Sequence, residues 1–188
     1  MNLSRNQIGI LLIRLFAGFA MFFAGFEKAI YTSWGGHTAG WSAANSLKFG
    51  GGGLLHNWFV SIASSNWVSP LVYWGEIFIG LGILLGLTLR LASVFGIIEN
   101  GLFWINAYMP LSTVTNTVVD GKIVASRSVN TGVFGMGWNT GPLELNAALI
   151  MMYIIMILVG AGLVYGVDAK LHKLAVVKKY RILRAILG

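Results

Sequence analysis

The sequence predicts an all-α membrane protein: a four-transmembrane-helix bundle with long outer loops and a C-terminal amphipathic helix. Three observations predict this fold class: the composition, the length of the apolar runs and the position of the positive charges. Apolar residues form 56% of the 188-residue chain and charged residues 10%, whereas a soluble domain has about 25% charged residues. The polar side chains are too few to cover a surface in water, so we expect residues 1–188 to form a single integral membrane domain.

Four apolar runs are long enough for a helix to cross a bilayer, which takes about 20 residues. The predicted spans are about 7–30, 70–89, 91–109 and 143–167, followed by a basic tail at 168–188. Ser69-Pro70 and Gly141-Pro142 mark the starts of the second and fourth spans, since proline lacks the N–H that a first helical turn leaves unpaired.

The distribution of lysine and arginine predicts the orientation of the bundle. With four spans, both termini lie on one side, together with Arg5, Arg90 and six cations of the tail. The other side carries four cations, at Lys28, Lys48, Lys122 and Arg127. Because positive charge is retained in the cytoplasm, we expect a multi-pass protein of the plasma membrane with cytoplasmic termini and an outward-facing active side. The net charge of +7 is thereby assigned to the membrane surface and not to nucleic acid.

The basic tail carries its apolar residues on one broad helical face, with the cations largely opposite. Such a pattern is typical of a helix lying on anionic lipid. A plain topology anchor is the alternative, and the sequence leaves both interpretations open.

Two long outer loops, about 31–69 and 110–142, connect the spans. A short helix is predicted near residues 54–64, and the tryptophans of both loops are typical of interface anchors. Asp120-Gly121 lies between the β-branched stretches 113–119 and 122–128, which predicts a hairpin. We interpret the loops as a cap over the outer mouth of the bundle.

Ionisable residues inside the spans by default face the bundle interior and indicate function. Counting depth along each span places Arg14 near Glu99 in the lower half, and Lys28 near Glu76 in the upper half. Pairs that only fix helix packing are the alternative interpretation.

The chain lacks the motifs of soluble redox enzymes. It has no cysteine, no dinucleotide fingerprint and no metal-ligand spacing, so we predict neither a metal nor a flavin. If the protein is a redox enzyme, a bound quinone must accept the electrons.

Two motifs resemble those of the DoxX-like membrane protein family. The first runs from Arg14-Leu-Phe-Ala-Gly18 to Gly25-Phe-Glu-Lys28, and the second is Glu76-x-x-x-Gly80-x-Gly82-x-x-x-Gly86-x-x-x-Arg90. Their order and spacing fit the family over about residues 8–109. Within the family, the tryptophan-rich first loop and the outer hairpin are most similar to the DoxD group, the large subunits of archaeal thiosulfate:quinone oxidoreductases.

The resemblance implies that thiosulfate is oxidised to tetrathionate and that the electrons pass to a membrane quinone, such as caldariella quinone. It also implies a smaller DoxA-like partner subunit. For that reaction, Lys28 and Arg127 are the expected anion ligands and Glu76 is the expected proton donor. The residues expected to bind the quinone are Arg14, Tyr73, Trp74, Glu99, Asn100, Trp104 and Tyr108.

Two other functions stay open at this point. The chain is a non-catalytic accessory or maturation protein if its polar residues are packing pairs. A proton or solute channel would need a continuous polar face, which the first and fourth spans lack. The sequence leaves the quinone type and the oligomeric state, including a homo-oligomer, open.

Overall fold

The structure, a computed structural model, describes residues 4–33, 42–43, 55–107, 113–119, 122–129 and 141–187. Its longer helices are α1 (Arg5–Ser33), α2 (His56–Ala63), α3 (Val68–Leu85), α4 (Leu89–Ala107) and α5 (Gly141–Val159). Three short helices follow: α6 (Val167–Leu171), α7 (Ala175–Lys179) and α8 (Arg181–Ile186). Strands β1 (Thr113–Val119) and β2 (Lys122–Val129) form the one sheet of the described chain. The fold is therefore helical, with a small hairpin between α4 and α5.

Two helices, α1 over Arg5–Ile30 and α3 over Val68–Leu85, are long and apolar enough to cross a membrane. Helix α5 adds a shorter apolar stretch at Leu145–Val159. The predicted count of four spans is thus not shown by the described residues.

Helices α1 and α3 each expose a stripe of apolar side chains. Exposed large apolar side chains recur every three or four residues, at positions 8, 12, 16, 19, 23 and 26 of α1 and 71, 74, 78, 81 and 85 of α3. Each helix therefore presents one continuous apolar stripe, which is unfavourable in water and suits contact with lipid.

Glycines bring α1 and α3 into close antiparallel contact. A Cβ at Gly25 would lie 2.5 Å from the Tyr73 carbonyl oxygen and 2.8 Å from the Ile77 nitrogen. Gly80 lies against the backbone of Phe22 in the same way. Small residues of this kind let helix backbones approach closely in membranes. The approach fixes how Lys28, one turn beyond Gly25, faces α3.

The core is completed by α4 and α5. Tyr153 of α5 is fully buried, and its ring fills the space left by Gly96, where a Cβ would lie 2.7 Å from the ring. The buried apolar residues of this core are Ala17, Met21, Ile79, Ile83, Leu89, Ala92, Leu149, Tyr153, Met156 and Ala161.

The fourth apolar run forms a shorter helix than predicted. Helix α5 ends at Val159, not near Val167, because Gly160 adopts a left-handed conformation with φ 61°. A single 3₁₀ turn, Ala161–Leu163, follows. The prediction was wrong here because hydropathy gives no signal for a glycine that ends a helix.

The tail also differs from the single amphipathic helix that the sequence predicts. It forms α6, α7 and α8, with extended backbone at Leu174 (ψ 137°) and Tyr180 (ψ 118°) between them. Exposed apolar side chains, such as Val176 and Ile182, lie among the basic residues of these short helices.

Two local predictions for the segments between the long helices are confirmed. Helix α2 lies within the predicted 54–64 segment. The hairpin pairs β1 and β2 antiparallel, with Val119 opposite Lys122, and its register shifts between Thr117 and Val118.

Candidate functional site

An ion pair joins α1 and α3 in the interior. The Lys28 Nζ donates a hydrogen bond to Oε1 of Glu76, as the sequence predicts. The Glu76 side chain is only 2% exposed, and that of Lys28 is 23% exposed. The Lys28 ammonium also lies 5.9 Å from the centre of the Phe103 ring on α4, a distance at which cation and ring attract.

A second carboxylate, Glu99 of α4, faces the same space. A Cβ at Gly75 would lie 3.9 Å from its Oε1, and the carboxylate is within electrostatic reach of Glu76 and Lys28. Oε2 of Glu76 and Oε2 of Glu99 are both buried without a hydrogen-bond partner among the described residues. Buried polar atoms are nearly always hydrogen-bonded, so these two oxygens indicate a place for a proton, water or ligand.

Helices α4 and α5 add two polar side chains to this space. The Asn100 amide donates to the Gly96 carbonyl at 2.8 Å, which fixes its orientation on α4. The Tyr153 hydroxyl lies beside Asn100 and within electrostatic reach of Glu99 and Glu76. That hydroxyl is buried and forms no hydrogen bond of good geometry within the part of the chain that the structure describes. We refer to Lys28, Glu76, Glu99, Asn100 and Tyr153 as the Glu76 cluster.

Arg14 belongs to a different polar group, at the other end of α1. Its Nη1 donates to the carbonyls of Ala161 at 3.0 Å and Val164 at 2.6 Å, and its Nη2 donates to Tyr165 at 3.3 Å. Fourteen residues of helix separate Arg14 from Lys28, roughly 21 Å at 1.5 Å per residue. The structure therefore does not bring Arg14 near Glu99, contrary to the sequence prediction.

Asp168 completes this second group by capping α4. Its Oδ1 accepts from the backbone N–H of Thr88 at 2.7 Å, and its Oδ2 accepts from that of Leu89 at 2.9 Å. These are N–H groups that a helix start leaves unpaired. The backbone N–H of Asp168 in turn donates to the Gly86 carbonyl at 2.9 Å.

The turns around Asp168 are strained as well as hydrogen-bonded. Thr88 (φ 47°) and Tyr165 (φ 55°) are the two non-glycine residues with positive φ in the described chain, and such residues persist only where their surroundings hold them. The two turns also approach each other closely, because a Cβ at Gly86 would lie 2.7 Å from Cα of Gly166. We refer to the contacts of Arg14, Gly86 and Asp168 with these turns as the Arg14–Asp168 lock.

The aromatic residues predicted to line a pocket lie in different places. Tyr73 is buried beside Gly25. Trp74 is 49% exposed and stacks on Phe78 at 5.7 Å within the apolar outer stripe of α3, so it faces away from Glu76. Trp104 is half-buried on α4, one turn beyond Asn100.

The remaining predicted site residues belong to the segments between the long helices. Tyr108 lies outside the described residues, as does Lys48. Arg127 lies in β2, where its backbone pairs with Thr115.

Sequence reasoning missed three residues: Phe103, Tyr153 and Asp168. Phe103 follows Glu99 by four residues, a helical spacing that places both on one face. Tyr153 is the one polar side chain in the apolar run 147–159 of the sequence, and such a hydroxyl usually needs a partner. Asp168 has no local signal, because the amides that it binds lie 79 and 80 residues away in sequence.

A family model, DoxX, matches residues 9–107, which is 99 of the 188 residues. The match includes Arg14, Lys28, Glu76, Glu99 and Asn100. No curated protein matches the chain, and no solved structure does. Because the family model covers more than half of the chain, and because α1 and α3 present the apolar surfaces of membrane helices, this protein belongs to the DoxX family of membrane proteins.

Proposed function

We propose that the chain is the membrane subunit of a thiosulfate:quinone oxidoreductase of the DoxD type. In this proposal, thiosulfate is oxidised to tetrathionate and the electrons pass to a membrane quinone, such as caldariella quinone. One observation carries the proposal: Glu76, which is buried, and Glu99, which is half-buried, each have a buried carboxylate oxygen without a hydrogen bond among the described residues.

The Glu76 cluster fits the polar head group of a quinone. Such a head group has oxygens that need hydrogen-bond donors, and its reduction consumes protons as well as electrons. Three polar atoms of the cluster have no hydrogen bond of good geometry to any described residue: Glu76 Oε2, Glu99 Oε2 and the Tyr153 hydroxyl. Glu76, Glu99, Asn100 and Tyr153 would hold the head group, and a quinone bound there would supply the electron-accepting chemistry.

Each side chain of the Glu76 cluster has a distinct role in this proposal. Lys28 holds one oxygen of Glu76, which leaves the other oxygen free to carry a proton. Glu99 offers its unbonded oxygen as an alternative position for that proton. Asn100 is fixed by its bond to Gly96 and offers its amide oxygen as an acceptor. Glu76, Asn100 and Tyr153 are buried, and a low-dielectric surrounding strengthens their electrostatic interactions.

Thiosulfate requires a separate, cationic site. Lys28 is already paired with Glu76, so Arg127 of the hairpin is the stronger of the two predicted anion ligands. Two thiosulfate dianions repel each other, and cations must converge to bring them together. We propose that a smaller DoxA-like subunit supplies the rest of this site.

The proposal requires the hairpin to face outward. We propose four spans, with α4 and α5 as the third and fourth, and both termini in the cytoplasm. The chain has no cysteine, so single cysteines report cleanly. A cysteine in place of Ser128 should react with an impermeant maleimide from outside, and one in place of Lys179, which is exposed in the tail, should not. The reverse labelling would place Arg127 on the wrong side.

The activity test uses the complex isolated gently from native membranes, with thiosulfate as donor and quinone reduction as readout. Arg127→Met should lower the rate at low thiosulfate by roughly ten- to a hundred-fold, because losing a hydrogen bond to a charged group costs about 1.5–3 kcal/mol. Lys48→Met is the matched control and should have little effect. An intact complex that never reduces quinone with thiosulfate would contradict the proposal.

A non-catalytic accessory protein is the second candidate. It is favoured by one observation: Arg14, although part of the family motif, binds only backbone carbonyls among its described hydrogen bonds. If Lys28 and Glu76 are likewise a packing pair, the double variant Lys28→Met/Glu76→Leu should keep all function of the complex. Loss of quinone reduction with the complex still assembled would exclude this candidate.

A further inference from the structure

We infer that the Glu76 cluster is a proton-binding site that holds one exchangeable proton on its two carboxylates, with Lys28 setting that number. The inference goes beyond the proposed function, because it holds whatever the electron acceptor is.

The charges of the cluster lead to this inference. Among the described side chains of the cluster, fully ionised Glu76 and Glu99 contribute two negative charges and Lys28 one positive charge, a net charge of minus one. A buried net charge is strongly unfavourable in a low-dielectric interior. One proton on either carboxylate restores neutrality.

The contacts explain where this proton can reside. Lys28 occupies Oε1 of Glu76 and leaves its Oε2 unpaired, and Oε2 of Glu99 is unpaired as well. Two carboxylates in electrostatic reach of each other, each with an unpaired oxygen, repel unless one is protonated. A protonated carboxyl gains a donor, which can satisfy an acceptor that the ionised pair leaves unsatisfied.

The Tyr153 hydroxyl is a second, independent indication. It is fully buried, lacks a hydrogen bond of good geometry within the described chain and faces the carboxylates from α5. A phenol both donates and accepts, so it can serve either protonation state. In the part of the chain that the structure describes, the titratable groups that face the site are Lys28 from α1, Glu76 from α3, Glu99 from α4 and Tyr153 from α5.

A proton fits this site better than a metal cation. Among the described residues, no group of three or more His, Cys, Asp and Glu side chains could hold a metal ion. The Lys28 ammonium already binds Oε1 of Glu76, and its fixed positive charge repels a metal cation at the same carboxylate. The ligand is therefore a proton, which is covalently bound to a carboxylate oxygen.

Infrared spectroscopy of the full chain in lipid nanodiscs at pH 7, without added quinone, tests the inference. Glutamate labelled with ¹³C identifies the carbonyl band of a protonated glutamic acid. Wild-type protein should show this band at about one proton per chain, and the band should shift in D₂O. Glu76→Gln and Glu99→Gln should each abolish it, because one carboxylate then balances Lys28. Lys28→Met should raise it about twofold, because both carboxylates then need a proton.

Glu27→Gln is the matched control, since Glu27 is exposed beside Lys28 and its loss should leave the band unchanged. A wild-type spectrum without the band would overturn the inference, and this measurement needs no variant to fold. A band that survives both glutamine variants, or that Lys28→Met leaves unchanged, would do the same. Absence of the band together with stabilisation by Na⁺ would assign the site to a metal cation instead. Absence of thiosulfate-driven quinone reduction would contradict only the proposed function.

Discussion

The two buried polar groups of this protein differ in what their charged atoms contact. In the Arg14–Asp168 lock, the guanidinium and the carboxylate bind backbone carbonyls and amides of distant turns. In the Glu76 cluster, the ammonium binds another side chain, and two carboxylate oxygens bind nothing among the described residues. Both groups contain residues of the same family motifs, and both are buried.

The difference distinguishes a polar group that holds the fold together from one whose carboxylates have an oxygen available for a proton. A charge that satisfies backbone groups cannot change state without releasing the turn that it holds. A carboxylate with an unpaired oxygen can take up or release a proton while the helices stay in place. We therefore expect variants of the lock to lower stability and variants of the cluster to lower activity.

Asp168→Ala should lower the free energy of unfolding more than any other single substitution considered. It leaves the amides of Thr88 and Leu89 unpaired and removes the cap of α4, and breaking such a buried charged contact typically costs about 3–5 kcal/mol. The free energy of unfolding, measured by denaturant titration of the purified protein in detergent, should fall by that amount.

Lys170→Ala is the matched control for Asp168, because Lys170 is exposed on the same short helix α6. It should stay within about 0.5 kcal/mol of wild type, as surface substitutions usually do. If Asp168→Ala unfolds at the wild-type denaturant concentration yet loses activity, Asp168 belongs to the chemistry and the proposed separation fails.

Glu76→Gln should give the opposite result. The amide keeps the volume and a hydrogen-bonding oxygen but cannot carry the proton, and positioned general acids contribute roughly 10²–10⁴-fold to a rate. Turnover at saturating thiosulfate should fall about 100-fold, with a change in unfolding free energy below about 1 kcal/mol. The experiment measures both quantities on the same preparation. A large loss of stability with residual turnover near wild type would make Glu76 a scaffold residue.

Gly25→Ala tests both effects at once, because Gly25 sets the close contact of α1 with α3 and lies next to the Glu76 cluster. The added Cβ would meet the backbone of α3 at 2.5–2.8 Å, and overpacking of this kind typically costs about 1–3 kcal/mol. Separating α1 from α3 also moves Lys28 away from Glu76, so turnover should fall together with stability. Unchanged turnover in a destabilised variant would show that the ion pair tolerates displacement.

The structure also shows which features could be predicted from sequence. The Lys28–Glu76 pair was predictable, since both residues are rare charges at the same depth of neighbouring spans. The hairpin was predictable from Asp120-Gly121 between β-branched stretches. The end of α5 and the place of Arg14 were not, because Arg14 binds carbonyls 147 to 151 residues away. Hydropathy and spacing report local periodicity, whereas such contacts follow from how the helices pack.

Gly101→Ala should have the smallest effect, and in the opposite direction. Gly101 directly follows Asn100 on α4, but a Cβ there would meet no atom of the described chain within 4 Å. Alanine restricts the unfolded chain and favours the helix, which stabilises by about 0.4–1 kcal/mol where the backbone conformation suits it. The free energy of unfolding should rise by that amount, and thiosulfate-driven turnover should stay at the wild-type value. Gly25 and Gly101 both lie next to the Glu76 cluster. If alanine lowers the free energy of unfolding at Gly25 and raises it at Gly101, close contact between helices, and not proximity to the cluster, determines the change in stability. A fall in stability for Gly101→Ala would instead show that this face of α4 is packed as tightly as that of α1.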